Sequence, residues 1–326
     1  MILHRFERLR SGLRRSAMAI ILMVLCAALA VQAQGFFTTD NLLIVLRNVS
    51  MQGVIAFGMT MVIIAGEIDL SVGSAVALSG CLVAWLTGFL AGPPIGMPMP
   101  WAVTLAILAS LTLGATVGSV TGLLRVRFGV PTFIATLAWM TILKGAAELI
   151  TNGFPLMPFP PWYNFIGGGY VGIIPFPAII FLLVFAATHF LMNYTSFGQA
   201  VYAVGGNAEA ARLSGIRVGR VKILAMGIVA GLAALSGVMQ SSQLIAGRPD
   251  TGTGWELNVI SAVIIGGTSL MGGSGTVWGT LIGVVFLGVL GNGMTLMNIS
   301  EYWQHVVQGA LILAAVLINM APSARK

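Results

Sequence analysis

The feature that most constrains this chain is the length of its uncharged stretches. No Asp, Glu, Lys or Arg occurs at residues 70–124 or at residues 257–300. A helix needs only about 20 apolar residues to cross a bilayer, so each stretch holds more than one span joined by a short loop. Hydrophobic residues make up 57% of the sequence and charged residues 8%, which excludes an ordinary soluble globular domain. The sequence therefore predicts an all-α integral membrane protein.

Hydropathy divides the chain into about ten membrane-spanning helices. A basic N-terminus at 1–15 and a short tail at 321–326 flank a single transmembrane domain at 16–320. The 42 glycines suit helices that approach one another closely in lipid. The predicted spans are 16–33, 41–65, 71–91, 101–124, 131–150, 174–193, 222–245, 256–271, 276–297 and 303–320.

The basic residues predict the orientation of these spans. The chain has 16 Lys and Arg against 9 Asp and Glu, and the basic residues gather at both ends, after the fourth span and at 194–221. Cytoplasmic loops retain Lys and Arg, so both termini and the 194–221 segment are predicted to be cytoplasmic. Residues 93–100 and 151–170 then lie outside. This distribution indicates a lipid membrane, and not a nucleic acid, as the partner of the positive charge.

The first apolar run follows Arg14 and Arg15 and is also typical of a secretory signal peptide. A retained anchor is favoured, because cleavage would leave an odd number of spans and upset the charge pattern.

Residues 205–222 form a polar, basic island within an apolar region. Every Asp, Glu, Lys and Arg between residues 149 and 244 lies in this island. We predict that this cytoplasmic segment contacts a soluble partner.

Five residues of the island carry that prediction: Glu209, Ala210, Ala211, Arg212 and Gly215. The alanines and the glycine form a small-residue helix face that can seat in a groove of another protein, with Glu209 and Arg212 flanking it at three-residue spacing. A glycine at the end also permits the left-handed turn that stops a helix. The alternative is an ordinary basic loop whose alanines only favour helix.

The Glu-Ala-Ala-x-x-x-Gly pattern at 209–215 resembles the coupling loop of bacterial ABC importer permeases. Residues 66–74, Gly-Glu-Ile-Asp-Leu-Ser-Val-Gly-Ser, resemble the signature of the ribose, arabinose and xylose branch of that family. The sequence departs from this signature at Glu67, where many relatives carry a small residue. The resemblance covers roughly residues 37–320, and further stretches agree in order at 133–137, 151–153, 203–207, 266–270, 275–283 and 292–293.

The resemblance implies a permease of the type II-like ABC importer fold in the bacterial inner membrane, working as a homodimer or heterodimer. A separate cytoplasmic ATPase subunit would bind ATP and Mg²⁺, and a periplasmic binding protein would deliver a pentose-type sugar. The permease itself would need no cofactor and would not be an enzyme. The sequence agrees with this, because it holds no phosphate-binding Gly-x-x-x-x-Gly-Lys-[Ser/Thr] loop.

Two carboxylates sit at the edge of the second predicted span. Glu67, Asp69 and Ser71 lie between Gly66 and Gly73, a pattern typical of a broken helix. Ionisable groups at membrane depth are costly and usually functional. Sugar contact or gating, capping of the next helix by Asp69, and proton coupling remain open.

Other polar groups lie inside spans. Asn292 needs a hydrogen-bond partner across helices, and it either lines a sugar path or joins two helices. Lys144 and Glu148 are four residues apart in the fifth span and are predicted to pair with each other.

Four charged residues are predicted at the outer face, where they would help to dock the binding protein: Arg248, Asp250, Glu256 and Glu301. The alternative for the two glutamates is stabilisation of a helix dipole at the start of the eighth and tenth spans. His189 and His305 have no companions at metal-ligand spacing, so neither a metal site nor catalytic residues are predicted.

A weak internal repeat is also present. Val-Ile-Ile-Ala-Gly at 62–66 matches Val-Ile-Ile-Gly-Gly at 263–267, and each precedes a Ser- and Gly-rich break. The match hints at a duplicated architecture.

Two other function classes fit a polytopic membrane protein. A proton-coupled secondary transporter would use Glu67 or Asp69 as the titrating site, and a membrane enzyme would need a catalytic constellation that the sequence lacks. Neither class has a use for a Glu-Ala-Ala loop.

Overall fold

The structure is a computed structural model that describes residues 18–93 and 95–320, with the backbone alone for 318–320. The predicted basic N-terminus at 1–15 and the tail at 321–326 lie outside the described residues. Within them the predicted all-α class is confirmed: the only strands are β1 (Tyr170–Val171) and β2 (Ile174–Pro175), an antiparallel hairpin with Tyr170 opposite Pro175.

The helices follow the predicted spans closely, and several short helices join them. In chain order they are α1 (Met18–Gln32), α2 (Thr39–Ile64), α3 (Val72–Ala91), α4 (Met99–Phe128), α5 (Thr132–Thr151), a 3-10 turn (Pro161–Asn164), α6 (Phe165–Gly168), α7 (Phe176–Tyr194), α8 (Ser196–Gly206), α9 (Ala208–Leu213), α10 (Val218–Leu244), α11 (Trp255–Ile265), α12 (Val277–Leu296) and α13 (Glu301–Met320).

Seven of these helices are long and apolar enough to cross a bilayer: α2, α3, α4, α5, α7, α10 and α12. The helices α1 and α11 are apolar but shorter. At 1.5 Å per residue, the 11 residues of α11 extend about 16 Å, roughly half of a 30 Å hydrocarbon core. The predicted eighth span at 256–271 is therefore not one continuous transmembrane helix.

The central helix is α10, which packs against α2, α3 and α4. Glycines let the backbones meet: Gly114, Gly118 and Gly122, one turn apart on α4, all face α10. A Cβ atom at Gly118 would lie 2.2 Å from the carbonyl oxygen of Met226. This bears out the expectation that small residues mediate close helix contacts in this membrane protein.

The contacts with α10 also set the depth at which α3 begins. Gly80 of α3 lies against Gly237 and Ser241, near the C-terminal end of α10. Because α3 starts only eight residues before Gly80, its first residue, Val72, lies near the middle of α10. Residues 65–71 thus rise from the end of α2 to mid-membrane depth in a non-helical conformation.

A second non-helical segment, residues 245–254, descends beside α3. Gly247 lies against Gly80 and Ala84, whereas Gly252 lies against Gly73 at the start of α3. The helix α11 begins there and runs to Gly266, which contacts Gly279 in the first turn of α12. The first part of this stretch, residues 245–254, is therefore made of non-helical turns, and the second part is α11.

The internal repeat recurs as matching helix ends. In α2 the N–H groups of Gly66 and Glu67 donate to the carbonyls of Ile63 and Val62, and in α11 those of Gly267 and Thr268 donate to Ile264 and Val263. Both glycines have left-handed φ angles, +77° and +89°. This is the Schellman arrangement, which satisfies carbonyls at a helix end. The two copies of the repeat therefore form the same helix ending, and a non-helical segment follows each of them.

Replacing Gly118 with alanine should destabilise the protein, because the added methyl group collides with the α10 backbone, and overpacking costs about 1–3 kcal/mol. We expect a lower apparent melting temperature of the detergent-solubilised protein by near-UV circular dichroism. Gly291→Ala in α12 is the matched control, since no atom lies within 4 Å of a Cβ at that position. Equal melting temperatures for the two variants would contradict the packing described here.

Candidate coupling and translocation site

The chain between α7 and α10 folds as two short helices, α8 and α9, and the polar island begins at the end of α8. Asn207 caps α9, since its Oδ1 accepts 3.0 Å hydrogen bonds from the N–H groups of both Glu209 and Ala210. Gly215 adopts a left-handed φ of +85° just after the helix. The predicted short helix with a terminal glycine is therefore present.

The exposed face of α9 differs from the predicted one. Ala211, expected to face a partner, is 4% exposed and packs into the protein core. Glu209, Ala210 and Arg212 are exposed, and so is Leu213, at 75%. The sequence did not single out Leu213, because helical spacing alone does not tell which side of a short helix its own protein covers.

Glu209 and Arg212 pair on this exposed face. The guanidinium donates two hydrogen bonds to the carboxylate, at 3.0 and 2.6 Å. The hydrogen bond from Arg212 and its positive charge lower the pKa of Glu209, and the pKa of Arg212 is raised in turn. Both side chains are therefore charged at neutral pH, and the pair lies on α9 next to the apolar side chain of Leu213.

The helix α8, which leads into the island, packs against the end of α2 and against the segment between α11 and α12. Gly205 of α8 touches the carbonyl of Ile64, the last residue of α2; a Cβ there would lie 1.6 Å from that oxygen. The same carbonyl accepts a 2.8 Å hydrogen bond from the N–H of Gly273, in the segment between α11 and α12. Tyr202 Oη donates to the carbonyl of Gly275 at 3.0 Å. A displacement of α8 would therefore reach both of these segments directly.

Glu67 makes a further connection between the island and the membrane helices. Its side chain is buried, and its carboxylate accepts hydrogen bonds from Arg125 Nε at 3.0 Å, from Thr132 Oγ1 at 2.6 Å and from Lys222 Nζ. These partners lie at the adjoining ends of α4, α5 and α10. We call these four residues the Glu67 cluster. The cluster holds four chain segments together through Glu67. The sequence did not connect Glu67 with these partners, which lie 58 or more residues away.

Asp69 and Ser71 form a local turn. Asp69 Oδ1 accepts from the N–H of Ser71 at 2.8 Å and from its hydroxyl at 2.6 Å, and both residues are buried. Ser71 is the N-cap residue of α3, and no side chain bonds to the free N–H groups of that helix. Asp69 thus shapes the entry into α3 without itself being the cap.

Asn292 pairs with Asn41, across α12 and α2. Each side-chain amide donates to the other's oxygen, at 2.8 and 2.9 Å. Of the two expectations for Asn292, the structure shows the interhelical hydrogen bond.

A cleft of about 410 Å³ opens between the start of α3, the C-terminal half of α5 and the 251–256 segment. Lys144 and Glu148 of α5 line it, 3.6 Å apart, as the predicted pair. Lys144 Nζ also donates a 2.6 Å hydrogen bond to the carbonyl of Pro249. The lining residues are Gly73, Ser74, Met140, Thr141, Lys144, Gly145, Glu148, Thr251, Thr253, Gly254 and Glu256.

Glu256 belongs to this cleft and not to the outer face where it was predicted. Its carboxylate lies over Gly73: a Cβ there would be 2.2 Å from Glu256 Oε2. This position differs from the predicted one because α11 begins beside the start of α3, level with the middle of α10 and not with its end. Arg248 and Asp250 form an exposed pair with hydrogen bonds of 3.1 and 2.8 Å, and Glu301 is exposed at the start of α13. In the described part of the chain, no group of three His, Cys, Asp or Glu side chains is placed to hold a metal ion.

Comparisons with known proteins decide the family. Residues 41–316 match the model of the family described as "Branched-chain amino acid transport system / permease component". The chain belongs to this permease family. It is 38% identical over 304 residues to the ribose import permease protein RbsC of Escherichia coli K12, which covers 92% of each chain.

Two further relatives agree with this assignment. The chain is 42% identical over 305 residues to the ribose import permease protein RbsC of Bacillus subtilis, covering 93% of this chain and 92% of the relative. It is 36% identical over 310 residues to the L-arabinose ABC transporter permease protein AraH of Azospirillum brasilense, covering 94% and 88%. The resemblance based on residues 66–74 and 209–215 is thereby confirmed. No solved structure matches the chain.

Removing the negative charge of the Glu67 cluster should destabilise the permease. Glu67→Gln leaves Lys222, whose side chain is largely buried, without its anionic partner, and breaking a buried pair costs about 3–5 kcal/mol. We expect a clearly lower melting temperature in detergent, with partial recovery in the Glu67→Lys, Lys222→Glu double variant. The control is Glu209→Gln, which removes an exposed ion pair and should change the melting temperature little. Equal effects at Glu67 and Glu209 would refute a structural role for the cluster.

Proposed function

We propose that this chain is the membrane-spanning subunit of an ATP-driven importer of a pentose-type monosaccharide. It would move the sugar from a periplasmic binding protein to the cytoplasm by alternating access. The observation that carries the proposal is the exposed helix α9 in a chain 36–42% identical to ribose and arabinose import permeases over most of its length. The relatives supply the substrate class, and α9 supplies the docking element for a soluble subunit.

The ATPase subunit docks on α9 in this proposal. Glu209, Ala210, Arg212 and Leu213 offer it two charges and an apolar side chain, and Gly215 leaves open space beside them. ATP and Mg²⁺ bind to that partner, so the permease needs no cofactor and hydrolyses nothing itself.

Movement passes from α9 to the membrane through two contacts. Gly205 presses on the end of α2, and Lys222, at the start of α10, holds Glu67 in the break that follows α2. When ATP draws the two nucleotide subunits together, α9 moves with them, and both breaks are displaced. The broken helices are the elements that change the accessible side of the path.

The architecture in this proposal is type II-like, in the bacterial inner membrane, with both termini cytoplasmic. Ten segments cross or enter the bilayer: the seven long helices, α1, α13, and the crossing formed by residues 245–254 together with α11. A second permease copy completes the path as a homodimer or heterodimer. The binding protein docks on the outer side, where Arg248, Asp250 and Glu301 are exposed.

Reconstitution in proteoliposomes tests the energy source. With its ATPase subunit and binding protein present, the permease should take up D-ribose or L-arabinose only with ATP. ATP hydrolysis should rise severalfold with sugar-loaded binding protein and barely respond to free sugar. Uptake driven by a proton gradient without ATP would overturn the proposal in favour of a proton-coupled secondary transporter.

Substitution of Gly215 tests the docking surface. Gly215→Trp should reduce co-purification of the ATPase subunit and sugar uptake at least tenfold, because the indole would occupy the space beside α9. Gly153→Trp is the matched control: Gly153 has a similar left-handed φ, +75°, and open space, but lies on the opposite side of the membrane. A Gly215→Trp protein that keeps normal binding and uptake would remove α9 from the docking surface.

A further inference from the structure

We propose that the cleft between α3, α5 and the 251–256 segment is a sugar-binding station inside the membrane. Lys144, Glu148 and Glu256 would bind the hydroxyl groups of one monosaccharide there during its passage. This inference rests on the proposed function and adds the place and the residues that hold the cargo.

The depth of the cleft is the first argument. Gly73 and Ser74, at the start of α3, line it and lie near the middle of α10. Thr251, Thr253 and Gly254 line the opposite wall with non-helical backbone. Such backbone at membrane depth is tolerated only where it is buried in protein or faces a water-filled cavity. The cleft is therefore a hydrated space within the hydrocarbon thickness.

The arrangement on α5 is the second argument. Met140, Thr141, Lys144, Gly145 and Glu148 recur at the spacing of a single helix face. Lys144 and Glu148 line the cleft and have side chains that are 34% and 53% exposed, although most of the other residues of α5 are apolar. Charged side chains at this depth are costly and mark pathways for polar cargo. A neutral sugar repays that cost with hydrogen bonds and adds no charge.

The hydrogen-bonding groups suit hydroxyls in particular. The ammonium of Lys144 has three donors, of which Pro249 takes one, and the carboxylates of Glu148 and Glu256 are acceptors. A sugar hydroxyl both donates and accepts, so it can bridge the two kinds of group. Thr141 and Thr253 add hydroxyls to the lining, and 410 Å³ falls within the range of roughly 300–1,000 Å³ for small-molecule sites.

The position of Glu256 explains one glycine of the 66–74 stretch. Its carboxylate and the carbonyl of Gly252 would lie 2.2 and 2.4 Å from a Cβ at Gly73. A side chain at residue 73 would displace the carboxylate of Glu256 from its place in the cleft and would collide with the carbonyl of Gly252. Gly73 therefore positions Glu256 for the cargo.

Transport stoichiometry tests the station in the complete complex of permease, ATPase and binding protein in proteoliposomes. Lys144→Met and Glu256→Gln should each lower the D-ribose moved per ATP hydrolysed at least tenfold. Asp40→Asn, at the exposed start of α2, is the matched control and should leave the ratio unchanged. Normal ratios in both cleft variants overturn the station.

Thiol protection tests it without altering the charged groups. In a Cys26→Ala, Cys81→Ala background, D-ribose should slow the reaction of Thr141→Cys with a neutral maleimide severalfold. It should not slow the reaction of Thr39→Cys, an exposed site away from the cleft. Equal rates with and without ribose at residue 141 overturn the station. If the unmodified complex transports no pentose with ATP, that result contradicts the proposed function itself, and the sugar-binding station is rejected together with it.

Discussion

The structure depends on the close contact of helix backbones around α10. Gly58 of α2, Gly80 of α3 and Gly118 of α4 each bring their helix within reach of its backbone, with no room for a side chain between. In lipid there is little hydrophobic force to join one apolar helix to another, so such van der Waals packing carries the association. Because α2, α3 and α4 are packed on α10, these contacts fix the level along α10 at which α3 and the neighbouring α11 begin.

That fixed frame makes the helix breaks possible. Residues 65–71 and 245–254 leave helical geometry at membrane depth, where unpaired backbone groups are very costly. Schellman hydrogen bonds close the ends of α2 and α10, the helices that precede these two segments, and α3 packs against residues 247–252. The breaks, in turn, place the start of α3 and the start of α11 side by side, and the cleft with Lys144 and Glu256 opens at that place.

The charged groups fall into sets with different consequences. In the Glu67 cluster the buried carboxylate of Glu67 and the largely buried Lys222 join separate chain segments, so these partners are hard to separate. The Glu209–Arg212 pair is exposed and holds nothing together, which leaves it free to contact another protein. Two contacts flank α9 in the chain: Gly205 packs against the end of α2, and Lys222 pairs with Glu67. Burial, more than residue type, therefore separates the charged residues that stabilise the fold from those that are free to bind a partner.

The sequence by itself determined the membrane class, most span positions and the water-facing island, because these follow from composition over windows of about 20 residues. It also located the break between α2 and α3, since Gly66, Gly73 and the nearby carboxylates are local signals, whereas residues 245–254 were predicted only as a connection between two spans. Only the tertiary structure decided that α11 is a half-span, that Ala211 faces inward while Leu213 faces out, and that Glu67 pairs with Arg125 and Lys222. Hydropathy reports the composition of a segment but not its depth, and burial or ion pairing depends on residues far away in the chain.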